Sequence, residues 1–359
     1  MTRLYIIGNG FDRAHNLSTD YKEHLRKILQ ETNEELYDLV NNLFFQNDID
    51  MWSEFEQRIG VIDDAFFSSL VTTASDKLQE FFANNSDPYA YGYSIDDENY
   101  GNTFTEVDNA IYQASSEKPD IADSFPLNDF SCIPEFLREG MDAMIVNANE
   151  ELNSPGVSVI GTFSPNSFFL TFNYTQTLER LYGLSDQIIL HIHGDDDKIW
   201  GNQEKAITNT EEIEININCT NCYYESDTGK EWDSVTEEYY QYPSNLSEFG
   251  AAVNYSEDEI EESIIAVRSK IEQMNGELIK EHQITQLESF LTQIPRVEEI
   301  IVLGVSIGEV DVPYFELLNK LYTDAKWYVS YYSQGDLVCD NIKKLSFQVE
   351  LKEFRMLFN

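Results

Sequence analysis

Five short runs of this 359-residue chain, at 4–7, 168–172, 188–192, 300–303 and 327–332, are apolar along nearly their whole length. Each gives way to Gly, Asn or Ser within a residue or two. A strand with one wet face alternates apolar and polar residues, whereas a strand covered on both faces is apolar throughout. The pattern therefore predicts an α/β fold, a parallel sheet flanked by helices. Ligands of such sheets sit beyond the carboxyl ends of the strands, so the residues just after the runs are where chemistry is expected.

Between the runs the spacing is mostly helical. Residues 19–45 place Tyr21, Leu25, Ile28, Leu29, Leu36, Leu39, Val40, Leu43 and Phe44 on one stripe, and 51–82 continue through Trp52, Phe55, Ile59, Ile62 and Phe66. Residues 84–104 are polar and acidic and read as a loop, and helical spacing returns near 105–116 and over 133–150. A long helical pattern covers 258–294, where Pro295 ends it. The expected organisation is an α/β core of residues 1–20 and 160–359. A large, mainly helical insertion at 21–159 interrupts it, and an acidic, Tyr/Asn-rich insertion at 203–256 lies within it.

Basic residues number 23 against 65 acidic ones, a formal charge of −42. Such a surface repels phosphate backbones, so no direct nucleic-acid binding is expected, and a nuclease fits poorly. Solubility is the plain reading of the charge. No run approaches the roughly 18 apolar residues of a membrane span, and no basic segment precedes an apolar leader. The expectation is a cytoplasmic protein without a membrane anchor. Cys132, Cys219, Cys222 and Cys339 are too few and too scattered for a disulfide framework.

Four strand ends carry unusual residues: Gly8-Asn9-Gly10-Phe11-Asp12, Thr171-Phe172-Asn173-Tyr174-Thr175, His191-Ile192-His193-Gly194 and Gly304-Val305-Ser306-Ile307. A strand, a glycine turn and a helix start together aim backbone N–H groups at one point, which favours phosphate. Gly8-x-Gly10 is not the dehydrogenase fingerprint, because Arg13, Ala14 and His15 stand where its third glycine would fall. As a lone Gly-x-Gly it serves equally well as a tight turn.

The stretch TFNYTQTLERLYGLSDQIILHIHG, residues 171–194, resembles the sirtuin segment that runs from an asparagine loop to the catalytic His-Gly. LYIIGNGFDRAHNL, FNYTQTLE, HIHGD and GVSIGEVDVPYF, in that order, resemble the AbiH family of bacterial proteins associated with abortive phage infection. The resemblance implies a Rossmann-like, sirtuin-like core with NAD as substrate or ligand. It places the pyrophosphate at the turn Gly8, Asn9, Gly10, Phe11 and Asp12, and the adenosine side at Gly304 and Ser306. It makes Asn173 and His193 the catalytic pair. Thr175 departs from the sirtuin pattern, which has Asp there, and Val305 stands where many AbiH members have His.

Each of these residues also has a plain reading. Asp12 could N-cap the helix after the turn, and Arg13 could be a surface charge. His191 and His193 would share one face of an unbroken strand, unless a turn at His193 re-aims the second ring. Cys219-x-x-Cys222 has no second pair to complete a zinc site, and Asp195-Asp196-Asp197 reads as a polar turn, so no metal is expected. Glu309 and Asp311 either line the site or cap the helix near Val312-Pro313, and the proline favours capping. Trp52-x-Glu54-Phe55-Glu56 reads as two core aromatics with exposed acids. Two functions follow: an effector that cleaves NAD at the nicotinamide–ribose bond, or a silent NAD or ADP-ribose sensor. A phage-derived trigger or a homo-oligomer is the partner that the resemblance leaves open.

Overall fold

The apolar runs become strands of one six-stranded, wholly parallel sheet. They are β1 (Arg3–Ile7), β2 (Ser167–Thr171), β3 (Ile189–His191), β4 (Glu299–Leu303), β5 (Lys326–Tyr331) and β6 (Glu350–Glu353), in the order 3-2-1-4-5-6. The computed structural model describes residues 1–85, 120–193, 230–233, 238–241, 257–278, 282–308, 310–333 and 335–358. The strand order is that of the doubly wound, Rossmann-type folds. The chain builds outward on one side of β1, then crosses back and builds on the other.

Leu4 and Ile6 lie level with Phe168 and Leu170 in β2 and with Ile300 and Val302 in β4. On their face, helices Ile284–Leu291 and Val312–Leu321 add Leu287, Phe290, Leu291, Tyr314, Phe315 and Leu318 to the core. Tyr5, Ile7, Phe169, Ile301 and Leu303 point the other way, toward Phe11, Leu178, Phe354 and Leu357. Both faces are covered, which is why β1 to β5 read as apolar without alternation. Strand β6, Glu-Leu-Lys-Glu, was not anticipated: it pairs only with β5, at the sheet edge, and carries one apolar residue.

By contacts the chain divides into two units. One holds Met1–Asp63, Cys132–Ile207 and Gln273–Asn359 and contains the whole sheet. It includes residues 21–63 and 132–159, which the sequence reading gave to the helical insertion. The other holds Asp64–Ser131 and Thr208–Glu272, with the helix Asp64–Asn85 and an antiparallel hairpin of Lys230–Asp233 and Glu238–Gln241.

Two helical stretches are shorter than their patterns suggested. The 51–82 stripe breaks at Gly60, which adopts φ 85°, so a 3-10 turn at Ile49–Glu54 and a helical turn at Phe55–Arg58 precede the helix Asp64–Asn85. The 258–294 pattern is two helices, Glu257–Glu277 and Ile284–Leu291. In the 21–63 segment, Asn33 caps the helix Glu34–Phe45 by accepting from the Leu36 amide at 3.1 Å. Trp52 stacks on Phe45 with ring centroids 4.2 Å apart and donates its indole N–H to Asn41 at 2.9 Å. With Trp52 and Phe55 buried, the adjoining acids Glu54 and Glu56 are held at fixed positions on this segment.

Candidate functional site

The carboxyl ends of β1 and β4 are where the strand order reverses, and two glycine loops meet there. Gly8 N–H donates to Leu303 O at 3.0 Å, Gly10 N–H to Gly304 O at 2.8 Å, and Phe11 N–H to Gly8 O at 2.8 Å. A Cβ on Gly10 would lie 2.8 Å from both Cα and O of Gly304. A Cβ on Gly8 would lie 2.7 Å from the Val305 side chain and 2.8 Å from Gly304 O. Gly304 itself adopts φ +67°, and its Cβ would fall 2.2 Å from Phe11 N. The glycines let two loops lie back to back. The amides of Gly10 and Phe11 are engaged within the protein, so the turn offers fewer N–H groups to an anion than its sequence suggested.

A cleft of about 820 Å³ opens over this junction, within the range of small-molecule and cofactor sites. Of the anticipated residues, Gly8, Asn9, Gly10, Asp12, Asn173, His193, Gly304 and Ser306 all line it. Phe11 does not. Its ring is buried among His15, Phe163, Tyr182, Phe354 and Phe358, and it fixes the helix α1 (Asn9–Ala14) to the sheet. The Asn9 amide donates to Thr19 O at 2.7 Å, which closes the loop after α1.

Asn173 follows β2 and is 6% exposed; its Oδ1 has no hydrogen-bond partner among the described residues. β3 ends at His191, and the turn that begins at Ile192 re-aims the second histidine. His193, 2% exposed, packs its ring 5.2 Å from that of Phe172 and 5.5 Å from that of Tyr174, the residues on either side of Asn173. His191 instead bridges Glu179 Oε1 at 2.6 Å and Asn173 O at 3.1 Å. Glu179 Oε1 and Asn173 O are both acceptors. One histidine faces the cleft and the other braces the asparagine loop from behind.

Asp12 is not the N-cap, a position taken by Gly8. It sits inside α1, 1% exposed, and accepts hydrogen bonds from Thr175 Oγ1 at 2.5 Å and Thr177 Oγ1 at 2.7 Å. Burial raises its pKa to about 6 against the opposing hydrogen bonds from Thr175, Thr177 and Asn173. The buried carboxylate thus ties α1 to the loop that carries Asn173. The shift amounts to about 3 kcal/mol in favour of the neutral form. Because the folded chain holds this proton more tightly than the unfolded chain, the stabilisation is complete below about pH 4 and lost as pH rises through about 6. Urea midpoints of the wild type minus those of Asp12→Asn should therefore fall between about pH 4 and 7. Parallel curves for the two proteins would show that Asp12 has an ordinary pKa.

Four lining residues were not anticipated as a group: Tyr21, Glu56, Tyr174 and Asp311. Tyr21, on a π-helical turn (Tyr21–Leu25), donates to Glu56 Oε1 at 2.6 Å. Glu56 follows the buried Phe55 and is half-buried rather than exposed. Asp311 precedes the helix Val312–Leu321 but makes no side-chain capping bond, and it lines the cleft at 9% exposure. Burial and the carboxylates Glu56 and Asp311 hold the phenols of Tyr21 and Tyr174 well above the usual tyrosine range. The signal for Asp311 was present in its position within the fourth motif, whereas Glu56 gave none beyond its proximity to two core aromatics. Beside Asp311, Ile307 adopts φ 54° while fully buried, an uncommon conformation for a β-branched residue. Arg13, 59% exposed, pairs with Asp20 at 3.2 Å at the rim.

Gly194, Asp195 to Asp197, Cys219, Cys222, Glu309 and most of 203–256 lie outside the described residues. Among the described residues, no group of three His, Cys, Asp or Glu side chains is placed to hold a metal ion, and no helix is long and apolar enough to cross a membrane. Neither a curated protein nor a solved structure matches the chain. The profile described as bacteriophage abortive infection AbiH does match, over residues 4–331. That span begins in β1, ends with β5 and takes in both glycine loops, Asn173, His193 and Asp311. Nearly the whole chain, with most of the residues that line the cleft, is thus accounted for by one family, and the protein belongs to the AbiH family of bacteriophage abortive infection proteins.

Proposed function

We propose that the protein is an antiphage abortive-infection effector that hydrolyses NAD at the nicotinamide–ribose bond. On this reading it arrests the infected cell by acting on the cytoplasmic NAD pool, and the core is sirtuin-like. The observation that carries the reading is the buried Asn173, whose Oδ1 has no hydrogen-bond partner among the described residues. It stands beside His193 over the switch point of a 3-2-1-4-5-6 sheet. Buried acceptors are rarely left unsatisfied without a functional reason. Thr175, which stands where sirtuins carry Asp, is bonded to the carboxylate of Asp12, so a carboxylate is still supplied at that place.

The chemistry fits these groups. When the bond between ribose C1′ and the ring nitrogen breaks, the electron pair neutralises the pyridinium. Nicotinamide therefore leaves without needing a proton. Water adds at C1′, and the products are nicotinamide, ADP-ribose and one proton. His193 would take that proton from water or from a ribose hydroxyl. Asn173 Oδ1 would accept from the same group and orient it. Burial of both residues limits competing water. Arg13 is the only Arg or Lys among the described lining residues and would face the diphosphate.

Purified full-length protein incubated with NAD, with and without lysate from phage-infected cells as trigger, tests the reading by chromatography of released nicotinamide. Nicotinamide and ADP-ribose in equal amounts are expected. ADP-ribose binding without release under either condition would sink the hydrolase and leave a nucleotide-binding sensor or scaffold.

A further inference from the structure

The cleft has a charge problem for an anionic ligand. Its described lining includes the carboxylates of Glu54, Glu56, Asp311 and Asp336, whereas its one guanidinium, Arg13, is paired with Asp20 at the rim. A dinucleotide with two phosphates gains nothing from such a wall, yet a cationic portion of it would.

The acidic and aromatic groups are gathered on one wall. Tyr21 and Glu56 are joined by a 2.6 Å hydrogen bond, which directs the carboxylate. Asp311 comes from the loop after β4, and Gly308 brings that loop against the Glu56 segment. A Cβ on Gly308 would lie 3.0 Å from Gln57 Nε2 and 3.9 Å from Asp311 Oδ2. Phe172 and Tyr174 add ring faces beside His193. Two polar atoms within this arrangement, Asn173 Oδ1 and the Tyr174 hydroxyl, are buried with no hydrogen-bond partner among the described residues. The wall therefore offers negative charge, π faces and unused acceptors together, the combination that recognises a planar organic cation.

We propose that Tyr21, Glu56, Tyr174 and Asp311 form a cation subsite of the cleft, which takes the positively charged ring of a pyridinium nucleotide. The inference deepens the NAD reading and rests on it for the identity of the ring. Its consequence is discrimination by charge: the substrate ring is cationic, whereas the nicotinamide product is neutral. The wall would hold the oxidised cofactor, reject its reduced, uncharged-ring form, and release the product.

Calorimetry on the full chain with two probes of nearly the same shape tests this. 1-Methylnicotinamide, methylated on the ring nitrogen, carries the positive ring and nicotinamide does not. The cation should bind more tightly on the order of tenfold. Glu56→Gln and Asp311→Asn should each remove several-fold of that preference without weakening ADP-ribose, which has no pyridinium ring to place there. The wild-type preference needs no variant, so it decides even if a variant fails to fold. Equal affinity for the two probes, or a preference that both folded variants retain, would overturn the subsite. The two readings fail separately. ADP-ribose binding and nicotinamide release without charge discrimination would remove the subsite and leave the hydrolase. Discrimination without ADP-ribose binding or NAD cleavage would do the reverse.

Discussion

Alanine at His193 or at Asn173 should each lower the rate of nicotinamide release by on the order of 10²-fold or more. The double variant should be little worse than either single one, because a base and the group that orients its target act as a unit. His193 is buried between two rings, so alanine also leaves a hole and costs stability. Gln at 193 keeps volume and polarity but cannot titrate near neutrality, and it should be as inactive as alanine while melting closer to the wild type. His191→Ala is the comparison. Its ring supports the Asn173 carbonyl from behind the cleft, so the loss should be smaller and should come with destabilisation. If His191 proves essential and His193 dispensable, the roles of the two rings are reversed.

Gly304→Ala should unfold the protein or cost more than about 4 kcal/mol. Two penalties coincide there: φ +67°, and a Cβ 2.2 Å from Phe11 N and 2.5 Å from Gly10 C. Neither contact can move without breaking the turn that follows β1. Gly183→Ala separates the penalties, because that residue has nearly the same conformation, φ +66°, and nothing within 4 Å of an added Cβ. It should cost about 1–2 kcal/mol, the conformational part alone. The difference between the two variants in urea midpoint measures how closely the loops abut. Equal losses would mean that the glycine at 304 serves its backbone angle and not the packing of the loops.

The sheet was legible because burial on both faces leaves its mark on each strand separately. β6 was not, since a strand paired on one side only tolerates the charges of Glu350, Lys352 and Glu353. Strand order could not be read at all, because it depends on crossovers rather than on the strands. At the site, Asn173, His193 and Asp12 were visible as polar residues at strand ends. The work that Asp12 does was not, because its partners Thr175 and Thr177 lie more than 160 residues away. The glycines at 8 and 10 were noticed for a good reason but with an incomplete cause: the close approach they permit is that of Gly304. Glu56 was missed because it sits one residue after Phe55, and the burial of an aromatic residue says nothing about where the acid that follows it points.

β1 lies at the centre of the sheet, yet its two neighbours begin at residues 167 and 299. A ribosome adding about 5–20 residues per second needs on the order of tens of seconds to supply both. For the first half of that interval the first strand has no permanent partner, and for the whole of it the loop after β4, which lines the cleft, has not been made. No shorter nascent chain contains the complete site. The cleft is therefore absent until translation is well advanced, and the cost is a slow, long-range folding step in which a bare apolar strand depends on whatever shelters it.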